Sequence, residues 1–98
     1  MKIYIKVYKA FGERILAACD AEILGKKFSE GDLQIEVKRS FYSGKLTNLE
    51  TLKEELEKAT IANLTGNNVV DFAIKNKFVD EKNVLKISNI KHAQIAVI

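Results

Sequence analysis

The chain has 98 residues, no tryptophan, no proline and a formal net charge of +3. A length of this order fits one domain with a small core, so we expect residues 1–98 to form a single domain. The composition, 47% hydrophobic and 30% charged, is ordinary for a globular protein and excludes a disordered or fibrous one. The apolar runs are far shorter than the roughly 20 residues of a transmembrane helix, so we expect no membrane partner.

The cysteine and histidine content limits the chemistry further. The single cysteine, Cys19, excludes an internal disulfide framework. Together with the single histidine, His92, it is too little for a structural zinc site, so we predict neither a metal nor a cofactor. Lysines interrupt the first residues and leave no signal-peptide core, which predicts a cytoplasmic, reducing location. The mild positive charge permits an acidic partner such as RNA.

The first elements are predicted to be two strands. Residues 2–10 alternate between β-branched side chains and Lys or Tyr side chains, a period typical of a half-buried strand. A turn is predicted at residues 11–13, where a glycine accepts a positive φ. Residues 14–19 are apolar enough for a second strand, antiparallel to the first. The small side chains of Ala17 and Ala18 predict close packing over it.

A short helical turn and a third strand are predicted next. Residues 20–25 have the marks of one helical turn, with the Asp20 carboxylate accepting from the free N–H groups at its start. A turn at residues 30–32 precedes a third alternating strand at residues 33–37. Residues 41–44 are predicted to end that strand.

The middle of the chain is predicted to begin a helix. Thr47 and Glu50 have the spacing of a capping box, and apolar side chains then repeat every three or four residues up to Ala59. The helix is predicted to continue through residues 60–64 and to stop at Gly66.

A second helix completes a pair. We expect Asn67 or Asn68 to cap it, because asparagine side chains accept hydrogen bonds from a helix start. It is predicted to end near residues 75–78, where lysines suit the negative end of the helix dipole.

The chain is predicted to close with two short strands, at residues 84–87 and 93–98, joined by a turn at residues 89–91. Strands thus gather at both ends with two helices between them. This order predicts an α+β fold, a mostly antiparallel sheet with the pair of helices packed on one face.

One face of the first strand is a candidate RNA-binding surface. Its lysines would contact phosphates and its tyrosines would stack on bases. The alternative is a solvated strand face, because tyrosine favours strands and lysine blocks edge pairing. The candidate RNA-binding residues are Lys2, Tyr4, Lys6, Tyr8, Lys26 and Lys27. Further basic residues that would strengthen the surface, if clustered with it, are Lys38, Arg39 and Lys45.

A second candidate site is polar. Uncharged polar side chains crowd the junction of the two predicted helices, where a helix start could receive an anion. Cys19 ends one predicted strand and His92 begins another, so the thiol and the imidazole could meet as a nucleophile and a base. Helix capping, a buried thiol and an ordinary turn histidine are the alternatives. The candidate polar residues are Asn63, Asn67, Asn68, Cys19 and His92, and His92-Ala93-Gln94 could form a polar site at the mouth of the sheet.

Short sequence words along nearly the whole chain are shared with a known family. They are Ala18-Cys19-Asp20, Leu24-Gly25-Lys26 with Phe28, Gly31-Asp32-Leu33, Phe41-Tyr42 with Gly44, Ala59-Thr60-Ile61-Ala62-Asn63-Leu64 with Gly66, and His92-Ala93-Gln94. In these words the chain resembles an archaeal family, domain of unknown function 424. The resemblance implies an archaeal cytoplasmic protein and weakly favours a role in translation. It brings no assigned activity, cofactor or catalytic residue.

Three functions remain open on this basis. The first is a small accessory protein that binds RNA or a ribonucleoprotein in archaeal translation. The second is a protein-interaction module, in one form a homodimer, without nucleic acid. The third is a small enzyme that uses Cys19 and His92. The residues favour a binding protein over an enzyme.

Overall fold

The computed structural model describes residues 1–97. The strands are β1 (Ile3–Ala10), β2 (Glu13–Asp20), β3 (Lys27–Glu30), β4 (Leu33–Glu36), β5 (Lys45–Thr47), β6 (Ile61–Thr65), β7 (Leu85–Ile87) and β8 (Ile90–Ala96). The helices are α1 (Arg39–Tyr42), α2 (Leu49–Lys58) and α3 (Asn67–Lys75), with 3-10 turns at Ala21–Ile23 and Glu81–Asn83. Within these described residues, every helix is too short or too polar to cross a lipid bilayer.

Six strands form the main sheet, in the order β5-β1-β2-β6-β8-β7. Strands β2 and β6 are parallel, and the other neighbours are antiparallel. A parallel pair needs a crossover connection. Residues 21–60 form this connection between β2 and β6, and they pass over both faces of the sheet. Strands β3 and β4 form a separate hairpin within that connection. The predicted α+β fold with a mostly antiparallel sheet is confirmed.

Helices α2 and α3 cover one face of the sheet. Helix α2 begins after Asn48, whose side-chain oxygen accepts a hydrogen bond from the Thr51 N–H at 3.1 Å. The apolar stripes of both helices pack on alternating sheet residues, as the prediction of a helix pair on one face requires. The buried residues of this layer are Leu52, Leu56, Val69, Val70 and Ala73 of the helices with Ile3, Ile5, Leu16, Ala18, Ala62, Leu64 and Ala93 of the sheet.

The opposite face is covered as well, by residues 21–44, which we call the outer layer. It contains the first 3-10 turn, the β3–β4 hairpin and α1. Val37 and Tyr42 are buried here against Ala17 and Cys19 of β2. The two alanines of β2 thus face opposite layers and are both fully buried, which confirms the close packing predicted over this strand.

The outer layer is attached to the sheet at both ends. At one end the Tyr8 hydroxyl donates to the Phe41 carbonyl at 2.7 Å, and Lys6 Nζ donates to the Ser40 carbonyl at 3.1 Å. At the other end the Ser88 N–H, in the β7–β8 turn, donates to a Glu30 carboxylate oxygen at 2.8 Å. The layer packs on β1 and β2 and contacts the β7–β8 turn; between these contacts it arches over β6 and β8 and leaves space there.

The prediction that the first helix continues through residues 60–64 is wrong. Helix α2 stops at Lys58, Ala59 is extended, and residues 61–65 form β6 in the centre of the sheet. The sequence of β6 does alternate, with Ala62 and Leu64 on the helix face and Asn63 and Thr65 on the outer-layer face. Five residues close behind a strong helical pattern are too few for this period to stand out, so the pattern predicts a continued helix there.

Three predicted caps are also wrong in detail. The Asp20 side chain does not cap the turn at Ala21–Ile23; it accepts instead from the start of α3. Helix α2 is capped by Asn48 rather than by Thr47, because the helix starts one residue later than the capping-box pattern places it. Helix α3 ends at Lys75, within the predicted range, but neither Asn67 nor Asn68 caps it: both are helical, Gly66 is the N-cap residue, and Asp20 supplies the side-chain acceptor.

Three boundaries differ from the prediction. The strand expected at residues 33–37 ends at Glu36, and residues 39–42 form α1 rather than a strand end. The last turn lies at Ser88 and Asn89, both with positive φ, so β8 already begins at Ile90. The last residue of the predicted C-terminal strand, Ile98, lies outside the described residues.

Candidate functional site

Strand register brings Cys19, Thr65 and His92 into one row on the outer-layer face. Cys19 of β2 is opposite Thr65 of β6, and Thr65 is opposite His92 of β8. The predicted thiol and imidazole therefore share a row but lie two strands apart, about 10 Å at the usual strand spacing. They do not form a dyad.

The Cys19 thiol is fully buried, with 0% of the residue exposed. Burial, followed by the nearby charge of Asp20, raises the pKa of Cys19 to about 12. A thiol of this kind stays protonated at neutral pH and is a poor nucleophile. The position of Cys19 is that of a structural core residue.

A chain of hydrogen bonds links three side chains at this row. The Tyr42 hydroxyl lies 3.0 Å from Thr65 Oγ1, and Thr65 Oγ1 lies 2.8 Å from His92 Nδ1. If Tyr42 donates to Thr65 and Thr65 donates to Nδ1, every proton in the chain has an acceptor. The reverse direction would leave the buried Tyr42 hydroxyl without an acceptor among residues 1–97. The chain therefore runs from Tyr42 to His92.

This direction fixes the state of the imidazole. Burial lowers the pKa of His92 below the usual 6.5, so the ring is neutral at neutral pH. With Nδ1 accepting from Thr65, the ring proton is on Nε2, which has no hydrogen-bond partner within residues 1–97. His92 thus presents a neutral N–H donor.

A cavity of about 440 Å³ lies between this part of the sheet and the outer layer. Asn63 of β6 and Gln94 of β8 face each other across neighbouring strands on its floor. Neither side-chain amide bonds to another described residue. The lining residues are Ile35, Glu36, Lys38, Ser40, Phe41, Tyr42, Asn63, His92 and Gln94. A smaller cavity of about 200 Å³ toward β7 shares His92 and Gln94.

Aromatic rings form one wall of the larger cavity. Phe41 stacks on Tyr8 with a centroid distance of 5.4 Å and an angle of 16°. Phe41 also meets Tyr42 edge to face, with the centroids 4.9 Å apart. These ring contacts hold α1 against β1 and place Phe41 in the lining of the cavity.

The outer layer changes the surroundings of the candidate RNA-binding face on β1. Tyr4 and Tyr8 are half-buried beneath it, so their rings contact protein rather than solvent. Lys6 reaches α1, whereas Lys2 is exposed near Asp20 at the other end of the sheet. The exposed Lys26 and Lys27 belong to the outer layer itself.

The predicted polar site is divided into two places. Asn63 and His92 meet at the cavity. Asn67 instead ties α3 to the β7–β8 turn, because its amide donates to the Asn89 carbonyl and accepts from the Lys91 N–H, both at 2.9 Å. The Asn68 N–H donates to Asp20. Asn67 therefore has a structural role other than the predicted cap, and Asn68 contributes only its backbone N–H.

Sequence reasoning missed Tyr42 and the rest of the α1 wall. A four-residue helix carries too little periodicity to show which side it buries. Three of the words behind the family resemblance, those containing Tyr42, Asn63 and His92, meet at the cavity. Among residues 1–97, no group of three or more His, Cys, Asp or Glu side chains is arranged to hold a metal ion.

The described residues define an α+β protein whose main sheet is covered on both faces, with an open polar cavity between the sheet and the outer layer. A family model described as "Protein of unknown function (DUF424)" matches residues 8–98, and the chain belongs to this family. The chain is also similar to the crystal structure of an uncharacterized conserved protein from Methanopyrus kandleri. The TM-score is 0.78 at 16% identity, over 97% of this chain and 90% of that chain, a likeness of fold alone. A search of curated proteins gave no match.

Proposed function

We propose that the protein is a small cytoplasmic accessory protein that binds single-stranded RNA, free or within a ribonucleoprotein, through its outer layer. The observation that carries the proposal is an uneven distribution of charge. Residues 1–47 contain nine Lys and Arg against six Asp and Glu, whereas residues 48–98 contain seven of each. The net charge of +3 belongs to residues 1–20 and 45–47, which include β1, β2 and β5. The outer layer carries four basic and four acidic residues, so its cations attract an anion only where they are grouped.

The basic residues on this side are grouped around α1, and we call the group the basic surface. Lys6 contacts Ser40, and the Arg39 guanidinium packs over Gly25. The Lys26 carbonyl accepts from the Val37 N–H at 2.9 Å. The basic surface consists of Lys6, Lys26, Lys27, Lys38 and Arg39.

These basic side chains are free of acidic partners. The ion pairs among the described residues join Arg14 to Glu55, Lys82 to Asp80, and Lys91 to Asp71, and none includes a member of the basic surface. Unpaired cations on one side of a small protein attract a polyanion and release its counterions on binding. The amides, the imidazole N–H and Phe41 line the same cavity as Lys38, as groups that contact bases would.

The test is the affinity for a fluorescently labelled single-stranded RNA, measured by anisotropy over a range of salt concentrations. The affinity is expected to fall steeply with salt, with a log–log slope of about −0.7 per phosphate neutralised. A variant in which Lys6, Lys26, Lys38 and Arg39 are replaced by Gln should bind at least about 10-fold more weakly and with a shallower slope.

The matched control replaces four lysines with the same loss of charge. Lys53 and Lys58 of α2, Lys75 of α3 and Lys86 of β7 lie outside the basic surface and are exposed. This variant should keep most of the affinity and the slope of the unmodified protein. Equal losses in the two variants, a flat salt profile or an absence of binding would overturn the proposal.

A further inference from the structure

We infer that the 440 Å³ cavity is a pocket for one nucleobase; this rests on the proposed function and names what that function recognises. The volume falls in the range of about 300–1,000 Å³ that small-molecule pockets occupy. The cavity opens beside Lys38, a member of the basic surface. A strand whose phosphates follow that surface can therefore place a base under the arch of the outer layer.

The floor of the pocket matches the edge of a base. Asn63 and Gln94 each offer an amide N–H₂ and a carbonyl oxygen, and neither is used within residues 1–97. The edge of a nucleobase carries donors and acceptors side by side, which asparagine and glutamine amides pair with in a bidentate manner. The His92 Nε2–H adds a donor in the row next to them.

The donor at His92 is fixed before any ligand arrives. Thr65 holds Nδ1, and the buried Tyr42 hydroxyl holds Thr65, so the ring can neither flip nor change tautomer without losing a hydrogen bond. A preorganised donor adds selectivity because it does not have to be ordered on binding. A fixed hydrogen-bond donor is what we expect of a side chain that recognises one edge of a nucleobase.

The charges of the lining favour a neutral ligand. Lys38 and Glu36 contribute one charge of each sign, and His92 is neutral. An anion would meet the Glu36 carboxylate, and a cation would meet Lys38. A purely apolar ligand would leave the two amides without partners, at a cost in binding. A neutral, planar, hydrogen-bonding ring beside the Phe41 wall fits these groups best.

The cavity of about 420 Å³ that follows α3 lacks these features. It is lined by Ile74 and residues 77–81, and it contains no amide pair and no imidazole. Its two acidic residues and one lysine are exposed at the rim. The nucleobase is therefore assigned to the pocket beneath the outer layer.

The test uses the four uncharged ribonucleosides. They carry no phosphate, so their affinity reports the contacts of the base and sugar alone. Each is titrated into ¹⁵N-labelled protein while the side-chain amide signals of Asn63 and Gln94 are followed by NMR. At least one nucleoside should shift both signals in a saturable way. Gln94→Ala, at an exposed position that should tolerate truncation, should weaken that binding about 10-fold or more.

The control variant is Gln34→Ala, which removes an exposed amide of β4 that does not line the pocket. It should leave the nucleoside affinity unchanged. If no nucleoside shifts the two amide signals, or if Gln94→Ala binds as well as the unmodified protein, the inference is wrong.

A second arm compares short RNAs of A, C, G or U alone, and it separates the inference from the proposed function. RNA binding with a base preference that Gln94→Ala abolishes supports both. RNA binding without nucleoside binding or base preference overturns the pocket and leaves the proposed function standing. Nucleoside binding without RNA binding shows a pocket for a free nucleoside or nucleotide and overturns the proposed function.

Discussion

At the scale of single residues, Asp20 and Gly66 explain how the centre of the sheet is joined to α3. The Asp20 carboxylate accepts from the Asn68 and Val69 N–H groups, both at 3.0 Å, and caps the helix from the end of β2. Gly66 has a φ of 120°, which favours glycine, and a Cβ there would lie 2.5 Å from Asp20 Cγ. The glycine thus leaves the space that the carboxylate fills.

Replacement of Asp20 by Ala should lower the free energy of unfolding by about 1–3 kcal/mol, because two N–H groups at the start of α3 lose their acceptor. Urea denaturation measures this change. Glu22→Ala, which removes an exposed carboxylate two residues away, should change the stability by less than about 0.5 kcal/mol. Equal effects of the two substitutions would show that the Asp20 cap contributes nothing.

His92 should make the stability depend on pH. Its pKa is lower in the folded protein than in the unfolded chain, so the unfolded chain takes up the proton first as the pH falls. The free energy of unfolding should be highest above about pH 6.5 and should decline below it, toward the folded pKa. Urea denaturation between about pH 8 and pH 5 should show this decline, and His92→Gln should reduce it. The same pH profile in both proteins would contradict this role of His92.

At the scale of elements, the longer segments with a clear period could be predicted from the sequence, and the short strand β6 and the short helix α1 could not. Strand β1, the start of β2 and helix α3 follow their periodicity closely. Strand β6 has five residues and begins three residues after the end of α2, so its alternation of Ala62 and Leu64 with Asn63 and Thr65 is too short to stand out from the helical pattern. The cavity could not be predicted because its residues are far apart in the sequence. Only the register of β6 and β8 places Asn63 opposite Gln94 and Thr65 opposite His92.

The attachment of α1 to β1 should control the local stability of the outer layer. Tyr8→Phe removes the hydroxyl that donates to the Phe41 carbonyl, at a cost of about 1 kcal/mol. Amide hydrogen exchange at residues 38–44 should therefore become about fivefold faster, while exchange in α2 and α3 stays unchanged.

The control for this prediction is Tyr4→Phe, because the Tyr4 hydroxyl has no hydrogen-bond partner within the described residues. This substitution should not change exchange at residues 38–44. If Tyr8→Phe speeds exchange uniformly along the chain or nowhere, the outer layer does not open as a separate unit.

At the scale of the whole molecule, the two faces of the sheet differ. The helix face is a closed apolar core, whereas the outer-layer face combines the basic surface with a polar cavity. The sheet edges, β5 and β7, are three residues each and offer little length for pairing with another strand. For this reason we propose the outer layer, rather than the helix face or a sheet edge, as the surface that binds a partner.

The central claim is that single-stranded RNA lies across the outer layer with a base in the cavity. Photo-crosslinking of an RNA that carries 4-thiouridine, followed by mass spectrometry of the peptides, tests this most directly. The crosslinks are expected in residues 35–42 and 92–94, and they should be lost when the basic surface is neutralised. Crosslinks concentrated on α2 and α3, or none above the level of an unrelated protein of equal charge, would contradict the account.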